Sequence, residues 1–235
     1  TSTYTPYNFY AKEEHKVILS GSNKQVVSFD DPSSSYAHFN SLEITNTSYV
    51  DFSTRVIIKK DLQATNTPIL NSSNVSLSSS ALISQGNWNY DLVVDNYSGT
   101  WTLAQNQVIE KDFYLKASSL DLNGMTLTIN GNLYHSGGTL DVNNGTLIVK
   151  GDYLIANGES SSSGTLKMIQ ASDYVKVEGN FVMDSTIYGD GMFTNGTLEV
   201  KGNFTQKSTS TSTYTPYNFY AKEEHKVILS GSNKQ

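Results

Sequence analysis

The chain has 235 residues, a net charge of −6, no cysteine and a single arginine, Arg55. A nucleic-acid binder needs a basic face to neutralise phosphates, so that class is excluded. Without cysteine there is no disulfide framework, thiolate metal site or Cys nucleophile, and no run of about 18 apolar residues is present to span a membrane.

In chain order, period-two alternation of apolar residues predicts strands at KVILSG (16–21), SLEITN (41–46), YDLVVDN (90–96), SLDLNG (119–124) and GTLDVNNG (138–145). The one helical candidate, FYAKEEHKVI (9–18), is equally a polar turn followed by a strand. Six further segments align without gaps: VIIKKDL (56–62), QVIEKDF (107–113), LTINGNL (127–133), LIVKGDY (147–153), VKVEGNF (175–181) and LEVKGNF (198–204). Each centres on a Gly or Lys followed by Asp or Asn, giving a predicted turn row of Asp61, Asp112, Asn132, Asp152, Asn180 and Asn203. Two residues before the centre stand Ile58, Ile109, Ile129, Val149, Val177 and Val200, and two residues after it Leu62, Phe113, Leu133, Tyr153, Phe181 and Phe204. These twelve are the expected core.

Gly-Asn and Gly-Asp are turn signals, because Gly reaches positive φ freely and Asn and Asp tolerate it. The apolar phase survives the turn, so the chain bends while facing the same core. Successive centres lie 51, 20, 20, 28 and 23 residues apart, and LISQGNW (82–88) supplies a further corner at Gly86 within the longest interval. The expected fold is therefore all-β, a right-handed parallel β-helix (β-solenoid) with coils of about 20–28 residues. The alternative is an antiparallel β-sandwich, since Asn-Gly also marks hairpins.

A longer repeat overlies this one. Residues 1–25 recur letter for letter as 211–235. Identity at solvent-type positions such as Lys12 and Lys222, or Glu13 and Glu223, exceeds what packing demands. Either the gene carries a tandem duplication or a copied segment closes the unit. Residues 1–210 are read as one full period of a solenoid repeat, and 211–235 as the start of the next.

The segments GTLIVKGDYLI, YVKVEGNFVM and GTLEVKGNFTQ, with HKVILSGSNKQVVSF and YAHFNSLEITN, resemble large secreted or cell-surface tandem-repeat β-helix proteins of anaerobic Gram-positive bacteria. The resemblance implies an extracellular or cell-surface array and supplies no catalytic residues. The Asn/Asp row is also similar to the asparagine ladder of pectate-lyase-type β-helices, a likeness of fold alone.

Chemistry is sparse in this sequence. Polysaccharide lyases and hydrolases need convergent acids, or calcium carboxylates with a basic residue. The acidic pairs Asp30-Asp31 and Glu13-Glu14 fall in expected turns, and His15, His38, His135 and His225 lack metal-ligand spacing. His135 falls at the inward phase beyond Leu133, as a structural histidine would. DVNNG (141–145) lacks the full acidic spacing of a calcium loop. No catalytic residue, metal or cofactor is expected, and the chain is read as a non-enzyme. The favoured function is a structural repeat unit of an extracellular fibre, stalk or adhesin, whose partners are neighbouring copies of itself. The alternatives are a carbohydrate-binding or carbohydrate-active β-helix that meets cell-surface glycans through exposed aromatics, and a bactofilin-like polymer.

Overall fold

The computed structural model describes residues 9–33, 35–64, 69–70, 75–77, 82–85, 87–88, 92–94, 100–210 and 215–232. Its strands are short, and every pairing between named strands is parallel. No α-helix occurs among the described residues; Lys12–His15 is a turn rather than a helix. The chain is a β-solenoid, with about seven turns along its longest sheet. Parallel neighbours joined by short connections can stack only by winding, because each strand must return to the same edge one level up.

One coil shows the construction. Thr126–Ile129 lies in a first, seven-stranded sheet, Leu133–His135 in a second of six strands, and Thr139–Asp141 in a third of four. The next coil repeats the order with Thr146–Val149, Tyr153–Ile155 and Thr165–Lys167. Pairing is in register, so Leu127 faces Leu147 and Ile129 faces Val149. Inward residues alternate with outward ones on all three faces and merge into one core. That core includes Trp101, Phe113, Tyr153, Phe181 and Phe193.

The N-terminal coils add a three-stranded sheet through Gln25–Val27, Val50–Phe52 and Ile69–Leu70. Beside it, the second and third faces fuse into longer strands such as Phe39–Ile44 and Val56–Ala64. Val75–Leu77 and Leu82–Gln85 both pair with Val56–Ala64, at its start and end. Val75–Leu77 lies beside Leu92–Val94 of the second sheet, and Leu82–Gln85 beside Thr100–Thr102 of the third. The columns of the two halves are thus continuous.

This arrangement corrects one reading. Asp61 lies outside the ladder: it sits within the strand Val56–Ala64, opposite Ser41 of the preceding coil and Leu82 of the following one, just after a register slip at Lys59 and Lys60. Residues four apart face the same way whether or not a corner separates them. The inward pair Ile58 and Leu62 is therefore buried on either side of a register slip within one strand, just as it would be around a corner. Without Gly at its centre, the VIIKKDL pattern does not distinguish the two. The corner expected at Gly86 lies outside the described residues.

The two copies of the duplicated segment have the same local structure. His15 N–H donates to Lys12 C=O at 3.0 Å, and His225 N–H to Lys222 C=O at 3.2 Å. Glu13 and Glu223 share a left-handed conformation, with φ of 53° and 52°. Phe9 meets His15 edge-on as Phe219 meets His225. A strand follows in each copy, Lys16–Leu19 and Lys226–Leu229. Their places differ. The first strand pairs with Phe39–Ile44, in the column that leads to the third sheet, whereas the second extends the first sheet on Thr197–Val200.

Candidate stacking interface

The corner between first and second sheets carries a column of side chains. Asp112 Oδ1 accepts the backbone N–H of Asn132 at 2.7 Å, and Asn132 Oδ1 that of Asp152 at 2.8 Å. Asp152 Oδ1 accepts from Asn180 N–H at 2.7 Å, and Asn180 Oδ1 from Asn203 N–H at 2.9 Å. Five of the six expected row residues are joined in this way, one bond per coil; Asp61 is the exception. The bonding differs from an amide-to-amide stack. Each rung needs only an acceptor oxygen aimed at the next backbone N–H, so Asp and Asn serve equally, which accounts for their interchange along the row.

The glycines of this corner also have a different cause from the expected one. Gly131, Gly151, Gly179 and Gly202 are not among the residues with positive φ. A Cβ on Gly131 would stand 2.3 Å from Asp112 Oδ1, and one on Gly151 would stand 2.4 Å from Asn132 Oδ1 and 2.7 Å from Gly131 O. Glycine is required because coils approach closely where the ladder runs. Left-handed backbone appears instead at the corner between third and first sheets, at Asn123 and Gly124 and at Asn143 and Asn144. There Met125 N–H bonds Leu122 C=O at 2.8 Å and Gly145 N–H bonds Val142 C=O at 2.7 Å, the geometry of tight turns with two positive φ values.

Of the twelve expected core residues, eleven are at most 1% exposed. Phe204 is only partly buried, because it lies on the last strand of its sheet and is covered on one side by Phe181 and on another by Phe219.

Polar groups inside the stack pin coils together. His135 is fully buried; its Nε2 lies 3.0 Å from Gly138 C=O and its Nδ1 3.0 Å from the Tyr153 hydroxyl of the next coil. A carbonyl only accepts, so Nε2 carries the proton and Nδ1 accepts from Tyr153. Burial pushes the imidazole down to about 4, and burial likewise raises the Tyr153 hydroxyl. Buried Asp173 accepts backbone N–H groups of Asn144, Ile169 and Gln170 at 2.7, 2.8 and 2.9 Å, and so ties a long corner to the coil before it. Buried Asp184 holds the backbone and hydroxyl of Thr209. Sequence reading did not single out these two acids, since nothing in their spacing marks them.

The outer faces offer two features. On the third sheet, Thr100, Ser119, Thr139, Asp121, Asp141 and Lys167 line a shallow polar concavity, in which Lys167 pairs with Asp141 at 2.7 Å. Near the C-terminal coil, Tyr188 stacks on Tyr220 at 6.0 Å and meets Tyr217 edge-on at 6.2 Å. All three rings are at least 40% exposed, and the Lys222 ammonium lies over Tyr220 and pairs with Asp190. Asp30 and Asp31 are set in a bend, and among the described residues no three His, Asp or Glu side chains converge as metal ligands.

The geometry is that of coils stacked in register within one chain, held by an acceptor ladder and by polar pins between levels. No family model, curated protein or solved structure matches the chain.

Proposed function

We propose that this chain is a structural repeat unit of an extracellular fibre, stalk or adhesin, built by stacking β-solenoid units in tandem. The observation that carries the reading is the duplicated segment. Two identical stretches fold into the same turn and strand, and each stacks in register on its solenoid. Repetition adds length or multiplies weak contacts, neither of which catalysis needs. The reading assigns the chain no catalytic step, and its partners are further copies of the same unit. A cell-surface or extracellular location belongs to the same proposal.

The test is to image native material, or a chain of several units, and measure its axial repeat. Nine or ten coils per period, each about 4.8 Å thick, give an expected repeat of roughly 43–48 Å. Compact particles without a periodic rod would overturn the reading.

The exposed Tyr188, Tyr217 and Tyr220 cluster favours a second reading, a carbohydrate-binding β-helix, because aromatic faces stack on sugar rings. Glycan binding that disappears in Tyr220→Ala would move the assignment there.

A further inference from the structure

The two copies of KVIL meet opposite neighbours. In the first copy, Lys16, Val17, Ile18 and Leu19 pair with Ser41, Leu42, Glu43 and Ile44 of the coil that follows. In the second, Lys226, Val227, Ile228 and Leu229 pair with Thr197, Leu198, Glu199 and Val200 of the coil that precedes. The hydrogen bonds divide in the same way. Carbonyls of His15, Leu19 and Gly21 accept from Ser41, Thr45 and Thr47 above, at 3.2, 2.9 and 2.8 Å. Backbone N–H groups of Lys222, Lys226 and Ser230 donate to Phe193, Gly196 and Val200 below, at 2.8, 3.0 and 3.0 Å.

Because the sequences are identical, these are two halves of one interior coil. Superposing the copies gives the order Thr-Leu-Glu-Val, Lys-Val-Ile-Leu, Ser-Leu-Glu-Ile, one strand on the next. The inward column is Leu198, Val and Leu42, with Val200, Leu and Ile44 beside it, all apolar. The outward column sets an Ile between Glu199 and Glu43. The charge is met on both sides: Lys16 Nζ pairs with Glu43 at 3.0 Å, and Ser230 Oγ donates to Glu199 at 2.7 Å.

We infer that the strand Lys226–Leu229 of one chain receives the Phe39–Ile44 strand of a second copy, in the register that Lys16–Leu19 occupies within each chain. The inference rests on the tandem reading and names its junction. Between covalently linked units the junction forms by winding alone. Between separate chains it forms by exchange, with the second chain's own first copy displaced by an identical sequence. The exchange keeps every pairing with strand 39–44. It also covers Val227, Ile228 and Leu229, which are 40, 45 and 54% exposed in the single chain. The partner is thus a second copy of this chain, head to tail and parallel.

The absence of cysteine permits a direct test. Full-length Ile228→Cys and Glu43→Cys chains are mixed and oxidised. Directly opposed residues on parallel strands stand about 4.8 Å apart, within disulfide reach. The expected product is a covalent heterodimer joined at 228 and 43, identified by peptide mass. A second measurement uses the unmodified chain, whose sedimentation should show mass rising with concentration, and Leu229→Lys should return it to monomer. Homodimers joined only at 228, no cross-link, or association indifferent to Leu229→Lys would each overturn the junction. The junction and the function fail separately. A periodic native rod without the 228–43 cross-link removes only the junction, and the cross-link with compact native particles removes only the fibre.

Discussion

The His135 imidazole lies nearly parallel to the Tyr153 ring of the next coil, at an angle of 12°, and accepts its hydroxyl hydrogen at 3.0 Å. The pair spans two coils at full burial, so charge on the ring has no water to meet it. In the unfolded chain the histidine takes a proton near pH 6.5, whereas in the folded chain it does so near 4. The folded state therefore binds fewer protons between these values, and stability falls as pH drops from about 6.5 to about 4, then levels off. The expected loss is about 3 kcal/mol. Urea unfolding across this range checks it, and His135→Gln should remove most of the slope there, leaving the part due to His225, whose imidazole is also pushed down by burial.

Phe181→Ala should cost about 3–5 kcal/mol, because the ring is fully buried between Tyr153 and Phe204. Phe204→Ala should cost less, about 1–2 kcal/mol, since that ring is already part-exposed. Denaturant midpoints for the two variants test the order. Equal losses would show that Phe204 is better covered in solution than in the single chain.

The ladder is a matter of acceptors. Asp152 Oδ1 takes both the N–H and the side-chain amide of Asn180, at 2.7 and 3.1 Å. Asp152→Asn keeps an acceptor and should be nearly neutral. Asp152→Ala strands the Asn180 N–H and should cost about 1–3 kcal/mol. Hydrogen exchange at Asn180 is the readout: its amide should lose protection in the alanine variant and keep it in the asparagine one.

Gly151→Ala tests why glycine stands at this corner. The added methyl meets Asn132 Oδ1 and the Gly131 carbonyl, so a loss of about 1–3 kcal/mol is expected from overpacking. Gly124→Ala also destabilises, but for another reason: nothing crowds a Cβ there, and the cost comes from a φ of +77°. Thermal unfolding of both variants, with a D-alanine substitution at each site by synthesis or semisynthesis, separates the causes. D-alanine should rescue position 124 and leave 151 impaired.

Much of this architecture was legible because a solenoid writes its fold once per coil. Period-two alternation on both sides of Gly-Asn places Ile129 and Leu133, or Val177 and Phe181, in one core before any coordinates are known. What stayed hidden is contact between levels. Asp61 follows a Lys as Asp112 does, yet which of them joins the ladder depends on which faces meet at that point of the coil, a property of the coils above and below. The ladder's direction was hidden for the same reason, since the acceptor for Asn132 N–H lies twenty residues away. Asp173 and Asp184 were invisible as pins because their partners are backbone groups, which have no sequence signature. The exposed tyrosine cluster was hidden too, as it joins Tyr188 to residues of the second copy.

The difference in placement between the two copies has a geometric consequence for any long assembly. Lys16–Leu19 stands in the column that leads to the third sheet and Lys226–Leu229 in that of the first. A period therefore ends in a different column from the one in which it begins. Units joined end to end would each be turned about the axis relative to the last, so Tyr188 and Tyr220 would not all emerge on one side of the shaft. Whatever those rings touch would then be met from more than one direction.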